Sequence, residues 1–254
     1  MTPEWFALID GIAAFAIAAA GIAGAHFYLL SPMTGFSMVF FVGFTVALIG
    51  VAVGLFARHR YRDPRAAVLR KRATAGLAVS AAVAIPIALF IGKGLAGGRP
   101  AINDITTDVN NPPEFIHAQT LPANRGRDLK YDKALYAARQ RAGYGIVAPL
   151  KEKLDPAAAF KRVQEVAMRV PAWTITYRNP AAMTIEGVAV SKLFRFPDDF
   201  AIQVRPAPGG GSLIEMRSKS RNGKGDFGVN HRRIEHFFDR LALARGAPAT
   251  EEIP

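Results

Sequence analysis
The chain has no cysteine among its 254 residues, which excludes disulfides, thiolate metal sites and cysteine nucleophiles in any compartment. Charge is missing too, over long stretches. From Gly11 to Ala57 there is no Asp, Glu, Lys or Arg, a run about twice the ~20 residues that cross a bilayer. Such a run must fold back once, and Pro32 and Gly35 in "SPMTG" mark the place. A second uncharged run, Ala73 to Gly92, contains Pro86, expected to kink a helix that its neighbours support. Three membrane spans are predicted, near residues 5–30, 36–57 and 73–96. The opening "MTPEW" lacks the basic residues of a signal peptide.

What is present in excess is positive charge, a net +12. Seven Lys/Arg stand against one acid in "RHRYRDPRAAVLRKR", Arg58 to Arg72, between the second and third spans. The positive-inside rule makes that loop cytoplasmic. The N-terminus is then cytoplasmic and the chain after Gly98 lies on the outer side, periplasmic if the membrane is a bacterial inner membrane. The lipid bilayer is the first expected partner. The rest of the chain is long enough to bury one core, and its basic excess outside the cytoplasm points to anionic small molecules or cell-envelope components, or to a protein partner. No nucleic-acid-binding motif occurs, and nucleic acid is not expected as a partner.

Beyond the spans, residues 99–130 are rich in Gly, Pro and Asn and read as an extended segment packed on the domain that follows, residues 131–254. A short helix is expected around Asp132 to Arg141. Another begins at Asp155-Pro156, cap and first helical position, and lines Phe160, Val163, Ala167 and Val170 on one face. Four strands follow: "WTITY", "MTIEGVAVSKLFRF", "FAIQVR" and "SLIEMRSKS", with "PDD" as one of the turns between them. A last helix spans about Asn230 to Ala244. The fold class is α+β, three transmembrane helices followed by a four-stranded antiparallel sheet packed by helices.

The stretch "RSKSRNGKGDFGVNHRRI", Arg217 to Ile234, contains GxGxxG and DFG. Neither has its context: no buried parallel strand precedes the glycines, no second strand follows the helix, and no kinase catalytic loop lies upstream. Alternation puts Leu213, Glu215, Arg217, Lys219 and Arg221 on one strand face, expected to meet water, and Ile214, Met216, Ser218 and Ser220 on the other, expected to meet the core. Two readings of the arginines stand. In one, Asp226 and Glu215 pair with them and Asn230 caps the last helix, so that the stretch locks strand to helix. In the other, the amides of the glycine turn with Arg217, Arg221 and Arg233 grip a phosphate or carboxylate.

"INDITTDVNNPPEF" (Ile102 to Phe115), "FRFPDDFAIQVRP" (Phe194 to Pro206) and "IEMRSKSRNGKGDFGVNHRRI" together resemble Domain of Unknown Function fourteen-ninety-nine, a bacterial and plastid family whose members often carry N-terminal membrane helices. Asp104, Thr107, Asp108, Arg217, Ser218, Ser220, Arg221, Gly223, Asp226, Gly228, Asn230 and Arg233 occupy its hallmark places. The resemblance implies no established reaction. The ligand-binding candidates are therefore Asp104, Thr107, Asp108, Arg217, Ser218, Ser220, Arg221, Asp226, Asn230 and Arg233, with no catalytic residue assigned.

Asp104 and Asp108, with Asp198 and Asp199, offer carboxylates for acid/base or divalent-ion chemistry, but ordinary turn chemistry explains them as well. His117, His231 and His236 lack metal-ligand spacing, so neither a metal nor a cofactor is expected. The acid-bearing segment around Asp104 to Asp108 is expected to pack on the basic Arg217 to Arg233 region. The reading is a non-enzymatic membrane protein whose outer domain binds an anionic ligand or a protein partner. The alternatives are a hydrolase or phosphoesterase-like enzyme using Asp104, Asp108 or Asp226, and a membrane assembly factor.

Overall fold
The computed structural model describes residues 1–145 and 147–244. The last ten residues of the expected soluble domain lie outside the described residues. The chain divides into two compact units, residues 1–97 with 192–195, and residue 98 onward without that insertion.

The first unit is helical: α1 (Pro3–His26), α2 (Pro32–Ser37), a π-helical stretch Met38–Gly43, α3 (Phe44–Arg60), a 3-10 turn Pro64–Ala66 and α4 (Ala67–Ala96). Three helices are long and apolar enough to cross a membrane, Pro3–His26, Pro32–Arg60 and Pro64–Ala96. Ser31 caps the second, its hydroxyl accepting from Thr34 N at 3.0 Å. α4 continues through Pro86.

Small residues set the packing. Ala7, Gly11 and Ala14 of α1, Ala47, Gly50, Gly54 and Ala57 of α3, and Ala73, Gly76 and Ser80 of α4 are all buried, three or four residues apart. A Cβ on Gly76 would stand 2.4 Å from the Ala7 carbonyl carbon, and one on Gly54 2.8 Å from Leu77 Cβ. The helices meet backbone to backbone, the close approach that small residues permit.

The second unit is α+β. Its sheet has six strands, two more than the sequence predicts: β1 (Asp104–Thr106), β2 (Leu150–Glu152), β3 (Trp173–Asn179), β4 (Thr184–Val190), β5 (Pro197–Pro206) and β6 (Ser212–Ser220). The order is β1-β6-β5-β4-β3, with β2 also on β6, and every pairing is antiparallel. β1 and β2 are three residues each and share the outer edge of β6, one beside each end. They escape sequence reading because three residues are too few to show alternation, and β1 lies in the segment read as irregular.

The second expected strand also splits. β4 stops at Val190, and Ser191 to Phe196 form the turn, Ser191 N bonding Phe196 O at 2.9 Å. Pro197, Asp198 and Asp199, expected as a turn, are the first residues of β5, and both aspartates are buried.

Three helices flank the sheet. α5 (Lys133–Tyr144) is capped by Asp132, which accepts from Leu135 N at 2.9 Å. Asp155 caps α6 (Pro156–Met168) through Ala157 N and Ala158 N, both at 3.0 Å. α7 (Val229–Ala244) buries Ile234, Phe237 and Leu241. α6 and α7 cover one sheet face, where Ile202, Val204, Ile214 and Met216 pack with Phe160 and Val163, and Trp173 lies 4.1 Å from Phe200 and 5.2 Å from Phe237, centroid to centroid.

The opposite face is covered as well. Phe115, Ala118 and Leu129, from the irregular segment, close over Ala201. This corrects the expectation that the charged face of β6 meets water: Glu215, Arg217 and Lys219 are buried, Arg217 to 1 % exposure.

Candidate functional site
The register that pairs Asp104 with Lys219 and Thr106 with Arg217 brings one acid onto two cations on the same face. Asp104, fully buried, takes Arg217 in a fork: Nε to Oδ1 at 2.9 Å and Nη2 to Oδ2 at 2.7 Å. Lys219 Nζ reaches the same Oδ2 at 2.9 Å. Arg217 Nη2 also donates to Leu129 O at 2.8 Å, and the guanidinium lies against Phe115 (4.7 Å) and Tyr131 (5.3 Å). The segment expected to pack on the arginines does so through Asp104. Thr107 extends the contact through its amide to Met216 O and its hydroxyl to Met216 N, at 2.9 and 3.0 Å. Asp108 stays apart from the arginines and forms a local turn, its Oδ1 accepting from Asn110 N and Asn111 N.

A second cluster forms at the end of β6. Asp199, fully buried, holds Arg221 at 2.6 Å and Arg127 at 3.0 Å, and Arg127 also donates to Ser220 O. On the helix-facing side Arg233 pairs with Asp198. Ser218 Oγ bonds Asn230 Oδ1 and accepts from Arg233 Nη1, both at 2.7 Å, and Asn230 Nδ2 donates to Ser220 Oγ at 2.9 Å.

The partners differ from those the sequence proposed. Asp226 pairs with no arginine among the described residues: it accepts from Gly228 N at 2.8 Å and Asn230 N at 2.7 Å and so caps α7 itself. Asn230, expected as the cap, is fully buried and turns its amide towards β6. Glu215 stands 3.0 Å from Arg205 rather than beside the glycine turn; Arg205 Nε and Nη2 bond Gln203 Oε1, and Glu215 Oε2 has no hydrogen-bond partner among the described residues, so this is an ion pair without a hydrogen bond. Burial pushes the Asp226 carboxyl above its ordinary range, against the two N–H donors that lower it, and burial raises Glu215 likewise.

The glycine turn has little left for a ligand. Gly223 and Gly228 adopt φ +76° and +77°, the left-handed region that favours glycine. Asp226 N donates to Ile102 O, Val229 N to Asp226 O and Arg232 N to Gly228 O. The start of α7 already holds an anion, the carboxylate of Asp226.

Arg217 is the one sequence-predicted candidate that also lines an open cleft. The cleft, about 460 Å³, runs between Val109–Phe115 and Asp128–Lys133, with Lys130, Lys133, Glu114 and Asp128 among its walls and Arg217 at its base. Two donors there are under-used. Arg217 Nη1 carries two hydrogens and makes a single long contact, 3.4 Å to Pro113 O. Tyr131 Oη is buried without a hydrogen-bond partner among the described residues. Burial, with the nearby charge of Asp104, pushes the Tyr131 phenol up to about 12, so it remains a donor at neutral pH.

Sequence reasoning missed Tyr131, Arg127 and Glu186. Glu186, fully buried in β4, accepts from Ile116 N and His117 N at 2.8 Å and from Ala118 N at 2.7 Å, fastening the irregular segment to the sheet. The signal was a lone Glu inside the apolar alternation of "MTIEGVAV". The histidines have structural neighbours: His117 stacks on Tyr177 at 5.3 Å, and His231 Nε2 lies 3.1 Å from Tyr144 O.

No curated protein matches the chain significantly. The model of one family matches residues 104–241, from the buried Asp104 to the buried Leu241, and so takes in β1, the arginine clusters and α7. The chain belongs to the family described as Protein of unknown function (DUF1499).

Proposed function
We propose that this is a three-span protein of the bacterial inner membrane, its N-terminus cytoplasmic and its soluble unit periplasmic, and that the soluble unit binds a small anionic ligand in the cleft based on Arg217. The observation that carries the reading is that Arg217 and Tyr131 both line that cleft and each has an under-used donor, Arg217 Nη1 and Tyr131 Oη. A buried donor without an acceptor, as the Tyr131 hydroxyl is among the described residues, costs about 1–3 kcal/mol, a cost that an acceptor-rich ligand removes. Lys130 and Lys133 add positive charge, and the volume suits a small molecule.

The hydrolase alternative draws less support. Asp104 is consumed by Arg217 and Lys219, Asp108 by its turn and Asp226 by α7, and none of the three lines the cleft. Orientation rests on the basic loop Arg58 to Arg72. Alkaline phosphatase fused after Pro254 is expected to be active and fused within that loop inactive; the reverse pattern inverts the topology.

Binding is tested on the detergent-solubilised full chain by thermal shift and calorimetric titration with orthophosphate, glycerol phosphate and a dicarboxylate, with and without Mg²⁺. At least one anion should stabilise the protein. Tyr131→Phe keeps the ring and removes the donor, and should weaken that anion roughly tenfold, about 1.4 kcal/mol. No stabilisation by any of them, with a protein partner co-purifying instead, would overturn the reading in favour of the assembly-factor alternative.

A further inference from the structure
The helical unit contains a polar site that the anion-binding reading does not use. Asp10 lies on α1 near the middle of its first half, inside a helix otherwise uncharged after Glu4. Among the described residues its Oδ2 is buried without a hydrogen-bond partner, and so is Ser80 Oγ on α4. Ser80 is fully buried. Both oxygens crowd one spot on α3: a Cβ on Gly50 would stand 2.2 Å from Ser80 Oγ and 2.4 Å from Asp10 Oδ2. Ser80 Oγ also lies 2.9 Å from where a Cβ on Gly11 would be. Only glycine at residue 50 leaves room for the two oxygens, so three helices converge on one carboxyl and one hydroxyl.

The charged groups of each packed element are distant. On α1 it is Glu4, about 9 Å along the helix and already held by Thr2 and by Tyr61, whose hydroxyl donates at 2.7 Å. On α3 the first is Arg58, about 12 Å from Gly50, with His59 and Arg60 beyond. On α4 it is Arg72, about 12 Å before Ser80 and lying 4.5 Å over the Trp5 ring. No cation among the described residues of these helices stands beside Asp10 to pair with it as a carboxylate.

We propose that Asp10, Ser80 and the notch at Gly50 form a proton-binding site within the helix bundle. One carboxyl and one hydroxyl are too few oxygens for a metal cation, which takes about six, and the helical carbonyls are engaged along their own helices. A proton needs one carboxylate oxygen and leaves a neutral acid in the notch at Gly50 that Ser80 Oγ also borders. Asp10 as a whole is half-buried, but its Oδ2 is buried at the notch, and hydrating the charge that proton release leaves there requires the contact of Gly11, Gly50 and Ser80 to open. Proton uptake and release are thereby coupled to how tightly the three helices pack.

The test is infrared spectroscopy of the full chain in lipid nanodiscs at pH 7, comparing wild type with Asp10→Asn and Ser80→Ala. The wild type should show the carbonyl absorption of a protonated carboxylic acid, lost in Asp10→Asn and shifted in Ser80→Ala. Identical acid absorption in wild type and Asp10→Asn overturns the proposal. So does stabilisation by Na⁺, K⁺ or Mg²⁺ that disappears with Asp10→Asn, which would make the site a cation site. Should Asp10→Asn not fold, an unshifted band in Ser80→Ala overturns it alone.

Discussion
Arg217 has five N–H donors, and Asp104, Leu129 and Pro113 account for four, so a single residue is both the centre of a buried ion-pair cluster and the base of an open cleft. Its neighbour in sequence reasoning, Asp226, has a different task. Asp226 caps α7 from a buried position, and burial holds its carboxyl above the ordinary aspartate value of 3.8. The sign follows from linkage: a group whose folded value is raised contributes stability that is full below the unfolded value and is lost as pH rises through the folded one. Wild type should therefore gain stability relative to Asp226→Asn as pH falls from 7 towards 4, read from denaturant midpoints across that range. A constant difference would mean that Asp226 titrates normally.

At the scale of elements, legibility followed length and periodicity. α6 declared itself through its cap Asp155 and both α6 and α7 through apolar spacing, although the cap of α7 is Asp226 and not the expected Asn230; Phe160, Val163, Ile234 and Phe237 are the buried residues the 3.6-residue period selects. β6 was legible as a strand, but the fate of its charged face was not. Whether Arg217 meets water depends on residues 104–131 folding over it, and that segment is held by contacts with no local signature, Arg217 on Asp104 and Leu129 and three amides on Glu186 among them. β4 carries a further constraint. A Cβ on Gly187 would meet Phe200 Cζ at 2.5 Å and Thr174 O at 2.6 Å, an aromatic core ring on one side and the neighbouring strand on the other. Gly187→Val should destabilise the soluble unit by about 2–3 kcal/mol, visible as a lowered thermal midpoint. A change below about 0.5 kcal/mol would mean that the strands part more easily than this packing allows.

For the whole molecule, composition was a sound guide to the three apolar helices and a poorer one to the surface of the soluble unit. The net charge of +12 invites a basic exterior, yet Arg127, Arg217, Lys219, Arg221 and Arg233 turn to Asp104, Asp198 and Asp199 of the same chain. Buried pairs of this kind add modestly to stability when intact, but removing one partner typically costs 3–5 kcal/mol because the other is left uncompensated. The family match begins at Asp104, the acid that holds both Arg217 and Lys219. Asp104 and Arg217 together hold the irregular segment over β6, and the arginines answer to the chain's own carboxylates first. Hydrogen exchange on the full chain with Arg217→Lys, which keeps the charge and loses the fork, puts this to the test. Amides in residues 104–118 should exchange roughly a hundredfold faster, about 3 kcal/mol less protected, while those of β3 and β4 change far less. Unchanged protection of residues 104–118 in a folded Arg217→Lys protein would contradict it.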